Sequence, residues 1–299
     1  MRTRTALLTA LLLLVAVPAC TLFNKDDEGT GTIYGLFVGI SQYADPSIPD
    51  LSVSHRDAIN LAGRLVGFSG SWDPGRMITL TNGAATKGAI KGALQDLLGR
   101  AGSSDTVLFF YSGHGFSGGD TGKADEWDNA DEYISPTDSI NAPGNYANDI
   151  SDDELESWLS SFGGRKVVII DACFSGGFIP GQGGGPAVQA KSYLKGGVIP
   201  KASQRVPMRS YFQDLTGGST VVMTAAREDQ LSWESGALGH SIFTWYLIEG
   251  LGGPADGNAN GNYSALELFT YAVDRTSAIA PLPQNPVLRG PASDTLIAW

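Results

Sequence analysis

Two runs decide how this chain folds: Val107-Leu108-Phe109-Phe110-Tyr111-Ser112-Gly113-His114-Gly115 and Val167-Val168-Ile169-Ile170-Asp171-Ala172-Cys173-Phe174-Ser175-Gly176-Gly177. Each begins as an unbroken apolar stretch rather than an alternating one. That pattern predicts a strand buried on both faces, as in a parallel sheet. Each then breaks into polar residues and glycine. In open α/β sheets, binding and catalytic groups gather just past the carboxyl ends of the strands. The two breaks therefore place one histidine and one cysteine at the same sheet edge. Their separation, 173 − 114 = 59 residues, leaves room for a loop and one crossover helix, so the strands should be parallel neighbours.

Working outward, strands and amphipathic helices alternate from Thr32 onward, which predicts an α/β domain: a mainly parallel sheet with helices on both faces. Ile33–Gly39 reads as the first strand. Ala58, Leu61, Ala62 and Leu65 then share a helix face. Met77–Leu80 reads as a short strand, and Ile90, Leu94, Leu97 and Leu98 mark a second helix. Residues 117–150 read as a long polar loop. Ser151 and Glu154 form a capping-box pattern that opens a helix burying Leu155, Trp158, Leu159 and Phe162. Thr220–Thr224 is a further strand, Ser241–Leu251 a helix apolar on most sides and hence deeply buried, and a last helix runs from about Ser264 to Ser277. Residues 176–209 are Gly-rich and carry Lys191, Lys195, Lys201, Arg205 and Arg209. A connection of that length predicts an exposed, functional loop.

The chain opens with Arg2 and Arg4, an apolar run from Ala6 to Val17, and then Val17-Pro18-Ala19-Cys20. That order reads as an export signal over residues 1–19. Cys20 after a small residue resembles the lipobox of bacterial lipoproteins, which predicts lipidation at Cys20. Residues 20–32 then form a flexible tether, with the domain over 33–299. The expected location is outside the cytoplasm, lipid-anchored to the cell membrane or outer membrane. The formal charge is −11, or −13 without Arg2 and Arg4. A balance so acidic argues against a nucleic-acid partner, which needs clustered Lys and Arg. Of the two cysteines, a lipidated Cys20 leaves Cys173 alone, either a small buried hydrophobe or a reactive thiol.

A thiol becomes a strong nucleophile only as thiolate. A neighbouring imidazole can take the proton and later hand it to a leaving amine. Flanking glycines let a substrate backbone approach and let backbone N–H groups face a developing oxyanion. Tyr111-Ser112-Gly113-His114-Gly115 and Asp171-Ala172-Cys173-Phe174-Ser175-Gly176 resemble the histidine and cysteine motifs of the caspase clan, closer to bacterial caspase-like proteins and metacaspases than to animal caspases. The resemblance extends through Gly35-Leu36-Phe37-Val38-Gly39-Ile40, Asp57-Ala58, Asp131-Glu132-Tyr133, Thr224-Ala225-Ala226 and Gln284-Asn285-Pro286. It implies a caspase-like fold with Cys173 as nucleophile and His114 as general acid/base, and a processing linker after the cysteine strand, here the exposed, basic segment 176–209 that the enzyme itself is expected to cut. It further implies an oxyanion hole from the backbone N–H groups of Gly115 and Cys173, with Ser112 lining the site. Asp171 and Asp57 match the aspartates that select Arg or Lys in metacaspase-like relatives. Asp57 also has a purely structural reading, as a carboxylate favoured near a helix N-terminus.

Asp256-Gly257-Asn258-Ala259-Asn260-Gly261-Asn262-Tyr263-Ser264-Ala265-Leu266-Glu267 fits the spacing of a twelve-residue calcium loop. Asp256, Asn258, Asn260, Asn262 and Glu267 would be its ligands. The competing and favoured reading is a turn followed by a Ser264/Glu267 capping box. The family's own calcium site is matched in part by Asp131 and Glu132, while Pro180 stands where metacaspases carry an acid. Calcium is thus a possible ligand and no cofactor is expected to be required. His55 is expected to cap a helix or face solvent, and His240 to be structural. The expectation is an endopeptidase acting on peptides with a basic residue before the scissile bond. The alternatives are a catalytically silent peptide-binding scaffold, or a relative cleaving after Asn or Asp.

Overall fold

The computed structural model describes residues 31–119, 131–173, 188–191, 219–227, 230–281 and 283–299. The expected signal, Cys20, most of the tether, Phe174–Gly177 and Pro180 lie outside the described residues. So does most of 176–209.

A six-stranded sheet forms the centre. Its strands are β1 (Ile33–Gly39), β2 (Met77–Thr81), β3 (Thr106–Ser112), β7 (Arg165–Asp171), β9 (Thr220–Thr224) and β13 (Val287–Arg289), in the spatial order β13-β9-β7-β3-β1-β2. All pairings are parallel except β13 with β9, which is antiparallel. The apolar runs that begin at Val107 and Val167 lie in the neighbouring central strands β3 and β7, with Ser112 opposite Asp171. His114 and Cys173 each lie two residues past that last pair, level with one another at the carboxyl edge.

Alternation along the strands splits the core in two. Phe37, Leu108, Phe110, Val167 and Ile169 face α1 (Ser54–Leu65), α4 (Ile242–Gly250) and α5 (Ala265–Ile279). Leu36, Val38, Val107, Phe109, Val168 and Ile170 face α2 (Lys87–Arg100) and α3 (Asp152–Ser160). A chain with helices on both faces buries β1, β3 and β7 twice over, which is why their sequences lack polar alternation. Gly39 permits the close fit of α1: a Cβ there would lie 2.5 Å from the Ser54 carbonyl oxygen.

Three small antiparallel sheets flank the central one, two of them at the edge that carries His114 and Cys173. One joins β4 (Gly115–Ser117), β5 (Glu132–Ile134) and β6 (Ile150–Ser151). Residues 117–150, expected as one loop, thus contain a strand: Tyr133 stacks on Phe116 and Tyr146 and gives the segment an apolar anchor. A second sheet joins β8 (Val188–Ala190), β10 (Trp233–Ser235) and β11 (His240–Ser241). The third pairs β12 (Tyr263–Ser264) with β14 (Leu296–Ala298).

Helix α4 buries Ile242, Phe243, Thr244, Leu247 and Gly250, and its half-buried Tyr246 and Ile248 pack against the same core. His55 lies inside the first turn of α1, with Nδ1 2.8 Å from Ser41 Oγ, rather than before the helix. The N-terminus of α1 is capped from far away: Glu234 accepts from Ser52 N–H, Val53 N–H, Ser54 N–H and Ser54 Oγ. That places a charge-assisted acceptor on donors the helix itself leaves open.

Candidate active site

His114 is held by its backbone before its ring is considered. Its N–H donates to Tyr43 Oη at 2.8 Å, and its carbonyl accepts from Tyr111 Oη at 2.8 Å. On the ring, Nε2 lies 2.7 Å from the Pro49 carbonyl oxygen. A carbonyl only accepts, so Nε2 carries the proton and Nδ1 is the basic nitrogen of the neutral ring. Pro49 offered no sequence signal, because its contribution is a backbone oxygen.

Cys173 is fully buried. Its thiol donates to the Ser232 carbonyl at 3.3 Å and accepts from the Ser232 N–H at 2.9 Å. Burial pushes the thiol up to about 12, against backbone hydrogen bonds from Ser232 and Lys191 that pull it down. Burial also pushes His114 down to about 4, against backbone hydrogen bonds to Pro49 and Lys191. In this arrangement thiol and imidazole are both neutral at pH 7. The Lys191 backbone acts on both of them.

Lys191 is where the sequence reading departs most from the structure. The segment around it was expected to be exposed, yet Lys191 is completely buried. Its ammonium donates to Ser112 Oγ at 2.7 Å, the Asp171 carbonyl at 2.9 Å and Asp171 Oδ1 at 2.9 Å. Asp57 Oδ2 lies 3.6 Å away. Burial alone would lower the Lys191 pKa, but Asp171 and then Asp57 outweigh it and raise it, so the cation persists.

The two aspartates and Ser112 therefore lie around the same ammonium, with partners the sequence had not revealed. Asp171 also accepts from Ser232 Oγ at 2.6 Å and from Thr244 Oγ1 at 2.6 Å and N–H at 3.2 Å. Asp57 accepts from Ser112 Oγ at 2.7 Å, from Ser241 N–H at 3.1 Å and from the Ser241 hydroxyl. It also pairs with His240 Nδ1 at 2.9 Å. Burial pushes the Asp57 carboxyl up, but His240, Lys191, Ser241 and Ser112 together hold it below the usual range. Asp57 is thus both a first-turn helix carboxylate and a pocket wall, and His240 supports the pocket. Gln284 braces it from behind through the Ala225 carbonyl at 3.1 Å.

The carbonyl of Lys191 points the other way, to the Gly115 N–H at 3.3 Å. Only glycine fits at 115, since a Cβ would lie 2.6 Å from the Cys173 carbonyl oxygen and 3.0 Å from that of Tyr133. Residues 188–191 run antiparallel to β10, with Ala190 opposite Trp233 and Gln189 opposite Glu234. The pairing continues through Lys191 N–H to the Ser232 carbonyl at 3.1 Å. The Gln189 amide donates to the Asp50 carbonyl at 2.7 Å and accepts from Ser52 Oγ at 3.1 Å.

The predicted calcium loop has a different arrangement. Glu267 closes a capping box with Ser264 and accepts from Asn258 Nδ2 at 2.7 Å. Asp256 accepts from the N–H groups of Asn260 and Gly261. These bonds support the turn-and-cap reading for Asp256–Glu267. Asp131, at the other candidate position, accepts from Tyr133 Oη at 3.0 Å. Among the described residues no group of three or more His, Cys, Asp or Glu is placed to hold a metal.

The caspase domain family model matches residues 34–289. The fold is similar to the crystal structure of protein GSU0716 from Geobacter sulfurreducens, at 21% identity and a TM-score of 0.59, over 87% of this chain and 94% of that one. It is also similar to caspase-1 from Spodoptera frugiperda, at 15% identity and a TM-score of 0.52, over 90% of each chain. No curated protein matches the sequence.

Proposed function

The chain belongs to the caspase domain family, and from that premise we propose that it is a cysteine-type endopeptidase cutting after Lys or Arg through Cys173 and His114. One observation carries the proposal. A lysine side chain sits between Asp171 and Asp57 while the carbonyl of the same residue meets the Gly115 N–H. A peptide held this way presents its carbonyl carbon to the pair that flanks it. His114 Nδ1 takes the thiol proton, Sγ attacks the carbonyl carbon, and charge develops on the oxygen facing Gly115. His114 then gives the proton to the leaving amine, and water hydrolyses the thioester. All the groups this needs come from the chain itself, so no cofactor enters the proposal.

The test is a profile of fluorogenic peptides with Lys, Arg, a neutral residue or Asp before the scissile bond, with and without calcium. Turnover should be confined to Lys and Arg, and should vanish in Cys173→Ala and His114→Ala. Because the two act as a unit, the double variant should be little worse than either one. The neutral thiol and imidazole favour a second reading, a silent peptide-binding scaffold. Binding of basic peptides with no turnover in wild type would establish that reading instead. We further propose that Cys20 carries a lipid anchor facing the periplasm or exterior, a reading supported by the basic start, apolar run and Ala19-Cys20 order. No helix among the described residues is long and apolar enough to cross a membrane.

A further inference from the structure

We propose that Glu234 is a positioning residue for the reaction: its buried carboxylate ties the loop that orients the His114 ring to the strand that holds Cys173. The proposal rests on the peptidase reading above and adds a residue to it. Glu234 lies in β10 and is completely buried. At the start of the same strand, Ser232 donates its N–H to Cys173 Sγ and accepts from the thiol through its carbonyl. The Glu234 side chain reaches from there to the end of the connection 40–53 between β1 and α1. Its Oε2 accepts from Ser52 N–H at 2.6 Å. Its Oε1 accepts from Val53 N–H at 3.1 Å and from Ser54 N–H and Oγ, each at 2.7 Å. Just before Ser52, the Pro49 carbonyl takes the Nε2 proton of His114 at 2.7 Å. The beginning of the connection is fastened separately, since Asn82 Oδ1 accepts from the N–H groups of Ser41 and Gln42. The limb that carries Pro49 bonds back to that beginning through Leu51 N–H to the Ser41 carbonyl and Asp50 Oδ1 to Tyr43 N–H. Glu234 is what fastens it to β10.

The two oxygens of Glu234 have separate tasks. Oε1 caps α1, whose own N-cap residue, Val53, supplies no side-chain acceptor. Oε2 holds Ser52 and, through it, the Pro49 limb. The isosteric change Glu234→Gln separates the two. Its oxygen stays on the Val53 and Ser54 N–H groups, backbone donors that cannot turn away. Its NH2 is then left against Ser52 N–H, donor facing donor. The helix cap survives while the limb is pushed off β10, and the Pro49 carbonyl moves from the His114 ring. An imidazole that loses the acceptor on Nε2 loses what fixes both its orientation and its proton. Nδ1, the nitrogen that takes the thiol proton, is then no longer held on Cys173.

The experiment reads steady-state kinetics on basic peptides and nitrogen NMR of labelled histidine side chains, on the same preparations. The chain has three histidines, and the His114 signals are assigned by their loss in His114→Gln. Wild type should show a hydrogen-bonded Nε2–H protected from exchange with water. In Glu234→Gln that resonance should broaden into exchange. Its kcat should fall about 10–100-fold, the scale of a misplaced catalytic group, with KM within about twofold of wild type. Thr86→Ala serves as the control for lost stability: it removes the side-chain cap of α2, on the other face of the sheet, and should leave both readings unchanged. Glu234→Ala would remove the cap and the tie together, which is why Glu234→Gln is the variant read. A folded Glu234→Gln with its resonance and kcat intact would overturn the proposal, as would either change without the other. Failure of Glu234→Gln to fold, despite the retained cap, would make Glu234 a structural residue and overturn it too. Wild type that turns over no peptide would instead sink the peptidase reading, and the resonance alone would then decide whether Glu234 fixes the ring.

Discussion

Replacing Asp171 by Asn isolates the charge of the acidic pocket with almost no change in shape, and the structure gives the size of the effect. Asp171 Oδ1 lies 2.9 Å from the lysine ammonium, which corresponds to an attraction of about 6 kcal/mol at an effective dielectric constant of about 20. Asp57, at 3.6 Å, supplies about 5 kcal/mol on the same scale. Desolvation of the ammonium offsets a large part of each. The hydrogen-bond arrangement adds a second penalty. Asp171 Oδ2 accepts from the Thr244 backbone N–H, a donor that cannot turn away, as well as from the Thr244 hydroxyl. Asn must therefore keep its oxygen toward Thr244 and turn its NH2 toward the incoming ammonium, so donor meets donor. The net loss should be about 3 kcal/mol, or about 100-fold in kcat/KM for Lys and Arg peptides, in line with truncated buried charge pairs. Peptides with a neutral residue at that position should change far less. Asp57→Asn should show the same selectivity with a smaller loss, since Asp57 lies farther from the cation. Steady-state kinetics on matched Lys and neutral peptides reads the ratio directly. The reasoning fails if Asp171→Asn slows both peptides equally, or leaves the Lys peptide within about threefold of wild type.

Two further outcomes are expected. The fold holds His114 at about 4 against an ordinary 6.5, so its contribution to stability is fully present above pH 6.5 and is lost as pH falls toward 4, about 3 kcal/mol in all. Thermal melts of Cys173→Ala should therefore fall more steeply from pH 7 to pH 4 than those of the Cys173→Ala, His114→Gln double variant, and parallel curves would contradict the assignment. At the other end of the chain, membrane-extracted protein should have the mass of a chain starting at Cys20 plus a lipid increment, whereas a water-soluble product with a free Cys20 thiol would refute anchoring.

Much of this was readable from the sequence because it rests on local pattern. Unbroken apolar runs located β3 and β7, the break at Ser112 and Asp171 located their ends, and 3.6-residue spacing located α1. What escaped depends on contacts between residues far apart in the chain. Glu234 caps α1 from 180 residues away, and His240 meets Asp57 from 183. Neither carries a signature in its own neighbourhood. Pro49 and Asp50 act through carbonyl oxygens, which every residue has. Lys191 was misplaced for a different reason. A basic residue in a Gly-rich stretch looks like solvent-exposed linker, and only the assembled pocket, with its two carboxylates, makes burial of an ammonium favourable.

That pocket also explains why a lysine can be sealed there at all. Two carboxylates brought together without compensation would repel one another, and a second fixed cation would cancel the field that recognises substrate. The chain surrounds the aspartates with hydrogen-bond donors: Ser112, Ser232, Ser241 and Thr244 give hydroxyl hydrogens, Ser241 and Thr244 add backbone N–H groups, and His240 Nδ1 meets Asp57. These donors hold the carboxylates in place without neutralising them. An ammonium entering from the active-site side then finds its three donors matched by three acceptors, Ser112 Oγ, the Asp171 carbonyl and Asp171 Oδ1. Aspartate selectivity alone would admit Lys and Arg alike. The acceptor set is arranged around a point charge with three hydrogens, whereas a guanidinium presents five donors in a plane. On the proposed peptidase reading, the two aspartates set the sign of the substrate side chain, and the acceptor geometry around Asp171 adds a fit to lysine that the aspartates by themselves do not contain.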